Sequence, residues 1–172
     1  MPESDPLVRR PAIELITSHA DRLTKPILDI GVGNGFYGRT LKTIYQNAEI
    51  YGIEIWPAYL TPAQLAWYKA IVFVNALHFD YSLFKDKLSL LIAADVVEHF
   101  KKTEAIALME TWKQIVPWIV ITLPIQRFEQ GSYMGNVHEA HLHHWSVFEV
   151  EHDLGMSLVK DCGVCGLFEW IK

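Results

Sequence analysis

The sequence predicts an α/β fold: a doubly wound, mostly parallel sheet that ends in an antiparallel pair of strands. Two observations predict it. Five apolar, strand-like segments alternate with helical patterns, and two further strand patterns near the C-terminal end are separated by only a short turn. Parallel strands need long crossover connections, which helices supply, whereas a short turn joins antiparallel neighbours. We therefore expect seven strands in a single domain that spans residues 1–172.

Composition excludes several classes of protein. Of the 172 residues, 51% are apolar and 20% are charged, which argues against disorder and for one folded domain. The net charge of −5 argues against a nucleic-acid partner. No apolar run approaches the roughly 20 residues that cross a membrane, and residues 1–5 lack the basic start of a signal peptide. With only two cysteines, we expect a cytoplasmic protein without a disulfide framework.

The first half of the chain contains three strand patterns and three helical patterns. Ile13, Ile16, Ala20 and Leu23 recur at helical spacing, and Pro11 suits a first turn, so the first helix is predicted over 11–23. A capping box at Thr61 to Gln64 opens the third helix. The strands are predicted over 27–30, 49–55 and 71–74, and the second helix over 36–46.

The second half continues the alternation and then changes direction. An apolar strand is predicted over 88–94, a helix from a cap at Thr103 to Ile115, and a buried strand over 118–123. A second capping box at Ser146 to Glu149 opens a short helix that Gly155 ends. The closing strands are predicted over 157–160 and 166–171, on either side of a turn that contains Cys162 and Cys165.

A glycine-rich turn follows the first strand, with glycines at 31, 33, 35 and 38. Such a turn provides positive φ angles and lets backbone approach a ligand, and ligands bind at the carboxyl ends of strands in open α/β sheets. The spacing from Gly33 to Gly38, with Glu54 about 20 residues on, fits a dinucleotide site. Asp29 would crowd a pyrophosphate there. A phosphate-binding P-loop is excluded because no Gly-Lys-Ser/Thr follows.

Three segments together carry a resemblance to a known family. They are Ile-Leu-Asp-Ile-Gly-Val-Gly-Asn-Gly over 27–35, Ile-Tyr-Gly-Ile-Glu-Ile over 50–55, and the segment over 90–100, which ends in Asp-Val-Val-Glu-His-Phe. In this order they resemble the motifs of class I S-adenosylmethionine-dependent methyltransferases. The resemblance covers about residues 27–171 and implies a Rossmann-like domain with S-adenosylmethionine as cofactor.

The resemblance also implies a set of cofactor-binding residues. The glycines at 31, 33 and 35 would pass under the methionine moiety, with Asp29 bracing their loop, and Glu54 would accept hydrogen bonds from both ribose hydroxyls. Asn75 stands where the family usually has an aspartate that faces the adenine amine, and Ser89 is a further mild departure. The full implied set is Asp29, Gly31, Gly33, Gly35, Glu54, Ile55, Trp56, Asn75, Ala76, Ala93, Ala94 and Asp95.

The acceptor side is predicted to involve an aperiodic loop over 125–145. It contains His138, His141, His143 and His144 within seven residues. Three interpretations stay open: residues lining the acceptor pocket, a metal site, or simple loop polarity. We assign no metal ligand and select His141, together with His99 after the fourth strand, as candidate catalytic residues. For His99, a base and a structural brace formed with Glu98 are equal alternatives.

The function these motifs favour is methyl transfer by in-line displacement to an oxygen of a small-molecule or carbohydrate- or lipid-linked acceptor. The Asn/Asp-Pro-Pro-Tyr/Phe tetrapeptide of amine-directed relatives is absent after the fourth strand. An NAD(P)-binding oxidoreductase and a non-catalytic cofactor-binding subunit are the alternatives. Only about 25 N-terminal residues and one loop remain for acceptor recognition, so the acceptor is small or a homodimer completes the pocket.

Overall fold

Seven strands form one sheet in the computed structural model, which describes residues 6–127 and 129–172. The acidic segment 1–5 and Phe128 of the predicted acceptor-side loop lie outside the described residues. The strands are β1 (Ile27–Ile30), β2 (Ile50–Glu54), β3 (Ala70–Phe73), β4 (Leu90–Ala94), β5 (Trp118–Pro124), β6 (Ser157–Asp161) and β7 (Cys165–Ile171). Their order across the sheet is β3-β2-β1-β4-β5-β7-β6. β1 to β5 are parallel, and β7 pairs antiparallel with both β5 and β6. The predicted fold class is confirmed.

Five α-helices lie in the described part of the chain, of which the first precedes β1 and the other four connect strands. They are α1 (Pro6–Ser18), α2 (Phe36–Ile44), α3 (Pro62–Leu65), α4 (Lys102–Ile115) and α5 (Val147–Asp153). Short 3-10 turns fill several of the remaining connections. Among the described residues, none of the helices combines the length and the apolar character that a membrane span requires.

The core lies on both faces of the sheet because successive strand side chains point to opposite sides. Leu28 and Ile30 of β1 belong to a hydrophobic cluster that includes residues of α4 and α5. Ile27, from the same strand, belongs to a second cluster with residues of α1 and α2. Helices therefore cover the sheet on both faces, as the doubly wound prediction requires.

The topology brings the carboxyl ends of β1, β2 and β4 together, where a ligand can approach. In the sheet, β2 and β3 lie on one side of β1, and β4 and β5 lie on the other side. Ile30 at the end of β1 is paired with Ile53 of β2 and with Ala93 of β4. The loops that follow these three strands consequently leave the sheet side by side, at the switch point where open α/β sheets form binding crevices.

The prediction for the first helix was wrong in its boundaries. The helix spans Pro6–Ser18, so Pro11 lies inside it and not at its start. Proline lacks the amide that would bond to the carbonyl four residues earlier, which normally disfavours an interior position. Here Val8, Ala12 and Ile16 are fully buried, and the burial of this apolar face outweighs one missing hydrogen bond. The chain then enters a 3-10 turn at Ala20–Arg22.

The predicted capping boxes are present. Ser146 Oγ accepts a hydrogen bond from the Glu149 amide at 3.2 Å, and the Ser146 amide donates to Glu149 Oε2 at 3.0 Å. The Thr61–Gln64 box opens a helix of only four residues. In α4 the cap differs from the prediction: the Lys101 amide donates to Glu104 Oε2 at 3.0 Å, so the helix starts before Thr103.

Candidate functional site

A cavity of about 670 Å³ lies at the carboxyl ends of β1, β2 and β4. Ile30, Ile53 and Ala94 contribute to its wall from the three strands. Its volume is within the range of small-molecule and cofactor sites, roughly 300–1,000 Å³. The loop over 125–145 and the start of α1 also contribute residues to it, so the cavity is enclosed from several directions.

The turn after β1 forms the floor of one end of the cavity. Gly31, Gly33 and Gly35 all have positive φ angles, of 71°, 54° and 76°. A Cβ added to Gly31 would lie 2.4 Å from Val96 Cγ2, so a side chain there would require Val96 to move. Gly31 and Gly33 line the cavity. Gly35 lies at the N-cap of α2, and the described cavity wall does not include it.

Gly38, the last glycine of the apparent dinucleotide spacing, makes room for a tyrosine. A Cβ at this position would lie 2.3 Å from Cζ of Tyr68. The Tyr68 hydroxyl instead accepts a hydrogen bond from the Gly38 amide at 3.2 Å. This third glycine is therefore required by packing between α2 and Tyr68.

Glu54 is buried at the end of β2 and lines the cavity beside the glycine turn. Its Oε2 accepts a hydrogen bond from the Gly33 amide at 2.8 Å, and its Oε1 accepts one from the Trp56 amide at 2.7 Å. Burial raises the pKa of this carboxyl, and the backbone amides of Gly33 and Trp56 oppose the increase. Each carboxylate oxygen can accept a further hydrogen bond from a ligand.

Asp29 lies beneath the glycine turn and outside the described wall of the cavity. The Tyr68 hydroxyl donates a hydrogen bond to Asp29 Oδ2 at 2.6 Å. Burial raises the pKa of Asp29 to about 7, although the bond from Tyr68 lowers it and the nearby charge of Glu54 adds to the increase. Asp29, Tyr68 and Gly38 thus form a buried chain of hydrogen bonds that connects β1 to α2.

The residues after β2 and β3 contribute a less polar wall. Ile55, Asn75 and Ala76 line the cavity, whereas Trp56 does not belong to its described wall. Asn75 Oδ1 accepts a hydrogen bond from the Leu77 amide at 2.9 Å and caps a 3-10 turn at Ala76–His78. Because an amide oxygen has two lone pairs, one remains available to a ligand.

The residues at the end of β4 include a strained position. Ala94 and Asp95 line the cavity, and Ala93 is fully buried within the sheet. Asp95 has a φ of 54°, in the left-handed region that residues with a side chain rarely adopt. Thr122 Oγ1 donates a hydrogen bond to Asp95 Oδ1 at 3.1 Å. Strain of this kind is concentrated at functional sites in proteins.

Glu98, His99 and His141 form a cluster in the cavity wall, the histidine end, which is separate in sequence from the glycine end formed by the glycine turn and Glu54. One potential metal-ligating atom from each lies within 4.8 Å of the others. The ring centroids of the two histidines are 5.2 Å apart. Burial raises the pKa of Glu98 well above its usual range, with a further increase from Asp95. Burial lowers the pKa of His99, which favours the neutral form of its imidazole.

Hydrogen bonds to the segments that follow β2 and β4 hold the loop over 125–145 beside the cavity. Tyr59, after β2, donates from its hydroxyl to Glu139 Oε1 at 2.9 Å and accepts from Asn136 Nδ2 at 3.0 Å. The Leu142 amide donates to the carbonyl oxygen of Glu98 at 2.9 Å. The loop also contains a 3-10 turn at Val137–Glu139. It is thus bonded to the 3-10 turns that follow β2 and β4.

Of the loop histidines, His138 and His141 line the cavity. His143 instead faces α5, where its Nε2 lies 3.3 Å from Glu149 Oε1. Tyr133, in the same loop, pairs through its backbone with Asn136 and does not belong to the described wall. Cys162 and Cys165 flank the β6–β7 turn as predicted, with the Cys162 amide donating to the Cys165 carbonyl oxygen at 3.0 Å.

Several residues of the site were not found from the sequence. Tyr68 and Tyr59 form hydrogen bonds to buried or cavity-lining acids, yet both lie in aperiodic segments where a tyrosine gives no signal of its partner. Arg9 lines the cavity from α1 and lies over the Phe36 ring, 4.8 Å from its centroid. The wrong start of the first helix concealed Arg9, because the predicted helix began after it.

No family model matches this sequence, and no curated protein does. Solved structures match it at low sequence identity. Magnesium protoporphyrin IX methyltransferase from Synechocystis PCC 6803, solved with bound SAH, is 14% identical with a TM-score of 0.65, over 95% of this chain and 81% of that one. A SAM-dependent methyltransferase from Aquifex aeolicus is 17% identical with a TM-score of 0.61, over 96% and 93%.

A provisionally assigned O-methyltransferase from Nostoc punctiforme PCC 73102 is 15% identical with a TM-score of 0.66. The match covers 97% of this chain but 57% of that one, so this chain spans little more than half of that protein's length. These neighbours share the fold of this chain but little of its sequence. The chain therefore has the fold of the class I S-adenosylmethionine-dependent methyltransferases.

Proposed function

We propose that this protein is an S-adenosylmethionine-dependent methyltransferase whose acceptor atom is an oxygen of a small-molecule or carbohydrate- or lipid-linked compound. One observation carries the proposal. A glycine turn with a buried glutamate, and a polar cluster of two histidines and a glutamate, line a single cavity. A donor at the glycine end and an acceptor at the histidine end would meet inside that cavity.

The residues at the glycine end fit the cofactor. The Glu54 carboxylate lines the cavity and has lone pairs beyond those used by the Gly33 and Trp56 amides, so it would accept bonds from ribose hydroxyls. Gly31 and Gly33 would pass under the methionine moiety. Ile55 provides an apolar surface for the adenine, and Asn75 retains one acceptor lone pair for its amine.

Bound S-adenosylmethionine supplies a methyl group on a sulfonium, which is already an activated leaving group. The chain's own residues then need to position the acceptor and exclude water. The loop held by Tyr59 covers the cavity and serves the second purpose. His99 and His141 are proposed to lie beside the acceptor, because both imidazoles line the cavity at the histidine end.

The alternative of an NAD(P)-binding oxidoreductase shares the glycine turn and Glu54. The packing of Gly38 against Tyr68 weakens it, because the third glycine of the dinucleotide spacing is explained without a ligand. A non-catalytic cofactor-binding subunit would bind the same cofactor but leave the histidine cluster without a role. Measurements of ligand binding and then of methyl transfer distinguish the proposal from both alternatives.

Thermal unfolding with S-adenosylhomocysteine and with NAD⁺ tests the cofactor. A ligand at 100 times its Kd stabilises a protein by about 2.7 kcal/mol. For a domain of this size that corresponds to a rise in Tm of roughly 5–10 °C. We expect this rise with S-adenosylhomocysteine alone, and a much smaller one in Glu54→Gln. Glu49→Gln, which removes an exposed acid paired with Lys69, is the matched control. A rise with NAD⁺ alone, or with neither ligand, would contradict the proposal.

A labelling experiment with the same protein tests the acceptor class. Incubation with methyl-labelled S-adenosylmethionine and a cell extract, followed by separation of small molecules, lipids, protein and RNA, should place the label in the first two fractions. Label confined to protein or RNA would overturn the acceptor assignment and leave the cofactor assignment intact. Cofactor binding without any labelled product would support the non-catalytic subunit.

A further inference from the structure

We propose that Glu98, His99 and His141 form a binding site for a divalent transition-metal ion such as Zn²⁺ at the acceptor end of the cavity. The three side chains come from two separate parts of the chain, the segment after β4 and the loop over 125–145. Each contributes a potential ligand atom, and these atoms lie within 4.8 Å of one another. No metal ligand was assigned from the sequence, so the site is a departure from that prediction.

Glu98 gives the first independent indication of a missing partner. This residue is 2% exposed, and its Oε2 has no hydrogen-bond partner among the residues that the structure describes. Burial of an unpaired carboxylate oxygen is strongly unfavourable, and buried acids in proteins are usually paired or coordinate a metal. A cation among Glu98 and the two histidines would supply the partner that Oε2 lacks.

His99 gives the second indication, through the orientation of its ring. Its Nδ1 lies 3.2 Å from the carbonyl oxygen of Ala140. Since a carbonyl oxygen only accepts, Nδ1 carries the hydrogen, which leaves Nε2 with a lone pair for a metal ion. Metal-binding histidines typically donate their other ring N–H to a carbonyl or carboxylate in this way.

Backbone hydrogen bonds hold this part of the loop in position without using the potential metal-ligating atoms. The backbone carbonyl of Glu98 accepts the amide of Leu142, and the His141 amide donates to the Gln130 carbonyl oxygen at 3.0 Å. The Ala140 carbonyl that orients His99 directly precedes His141. One short stretch of loop therefore supplies the third side chain and fixes the ring of the second, so the three groups are arranged before an ion binds.

The donor set indicates which ions would bind. One carboxylate oxygen and two imidazole nitrogens match the ligands of catalytic zinc sites and other first-row transition ions, whereas Ca²⁺ and Mg²⁺ prefer oxygen ligands alone. Three protein ligands leave a coordination position open, and all three residues line the cavity. That position is available to an oxygen atom of the acceptor; this last assignment rests on the proposed methyl transfer, whereas the metal site does not.

Metal titration of the full-length protein tests the site without cofactor or substrate. Protein freed of metal by a chelator is titrated with Zn²⁺ by calorimetry and with Co²⁺ by visible absorption. We expect one ion per chain. Loss of an outer hydrogen bond to a ligand commonly weakens metal affinity 10- to 100-fold, so loss of a ligand in Glu98→Gln or His141→Ala should weaken it at least about 100-fold.

The controls separate this site from other metal-binding groups and from unfolding. His78→Ala, which removes an exposed histidine outside the cluster, should bind Zn²⁺ as the unaltered protein does. Far-ultraviolet circular dichroism and retained binding of S-adenosylhomocysteine report that the variants are folded. Unchanged Zn²⁺ affinity in Glu98→Gln and His141→Ala, or loss of binding only in Cys162→Ser, would overturn the proposal. Zn²⁺ binding without S-adenosylhomocysteine binding would support the metal site and contradict the proposed function.

Discussion

The buried acids at the two ends of the cavity differ in their hydrogen-bond partners. At the glycine end, both oxygens of Glu54 accept backbone amides, and Asp29 accepts the hydroxyl of Tyr68. At the histidine end, one oxygen of Glu98 has no hydrogen-bond partner within the described part of the chain, although the side chain is buried. The buried acids at the glycine end therefore have hydrogen-bond partners within the protein, whereas Oε2 of Glu98 lacks one among the described residues.

The difference follows from the elements that hold each end in place. The strand ends and their turns hold the glycine end, so its geometry follows from the sheet register. The histidine end also depends on a long loop held by a few side-chain hydrogen bonds. We therefore expect substitutions at the glycine end to change the stability of the whole fold, and substitutions at the histidine end to act locally.

The largest effect is expected from a matched pair of glycine substitutions, Gly31→Ala and Gly135→Ala. Both glycines have positive φ angles, of 71° and 83°. At Gly31 the new Cβ would also meet Val96 Cγ2 at 2.4 Å, whereas at Gly135 no described atom lies within 4 Å. Backbone strain and overpacking together should lower the free energy of unfolding by about 2–5 kcal/mol at Gly31. At Gly135 strain alone should lower it by about 1–2 kcal/mol.

Urea unfolding of the two variants measures the contrast. Equal losses would mean that the loop is as tightly constrained as the glycine turn, and the comparison between the two ends would fail. A larger loss of unfolding free energy at Gly135 would mean that the loop is more tightly constrained than the glycine turn.

A somewhat smaller effect, visible in the pH dependence, is expected from Asp29→Asn. A carboxyl whose pKa is higher in the folded than in the unfolded state binds its proton more tightly when folded. Its contribution to stability is therefore lost as pH rises from about 4 to about 7. For Asp29, with a folded pKa of about 7 against an ordinary value of 3.8, this loss is up to about 4 kcal/mol.

The measurement is the free energy of unfolding of both proteins between pH 4 and pH 8. The difference between Asp29→Asn and the unaltered protein should grow with pH in favour of the variant and level off above pH 7. Parallel curves would show that burial does not penalise the charge of Asp29, and the raised pKa of this carboxyl would then be refuted.

The smallest effect is expected from Tyr59→Phe, which removes the hydroxyl that connects Asn136 and Glu139 to the end of β2. Loss of these bonds should cost about 1–2 kcal/mol, because the buried Asn136 amide loses a partner. The effect should be local, so the amides of His141 and Leu142 should exchange hydrogen about 5- to 30-fold faster while those of β1 do not.

Tyr133→Phe is the control for this variant, because Tyr133 contacts Asn136 through its backbone and not its hydroxyl. Faster exchange throughout the sheet in Tyr59→Phe would mean that the loop is part of the cooperative core. The distinction between a rigid end and a locally held end would then be lost.

Much of the fold was predictable because local signals agreed with the global arrangement. The apolar strand segments, the capping box at Ser146 and the glycines after β1 each specify structure within a few residues, and the structure has all of them. The first helix was misplaced because a proline at its centre resembles one at its start. Its position is determined by burial of Val8 and Ala12 against the sheet, which the local pattern around Pro11 does not encode.

The alternation of strands and helices, the antiparallel closing pair, and the place of the glycine turn and Glu54 at the ends of neighbouring strands were all predictable from local sequence. These features depend on periodicity and on residues close together in the chain. The hydrogen bond from Tyr68 to Asp29 and the position of His141 beside Glu98 and His99 became known only from the folded structure. Such pairs are 39 or more residues apart, and their contact is set by how the whole chain packs, which no local pattern records.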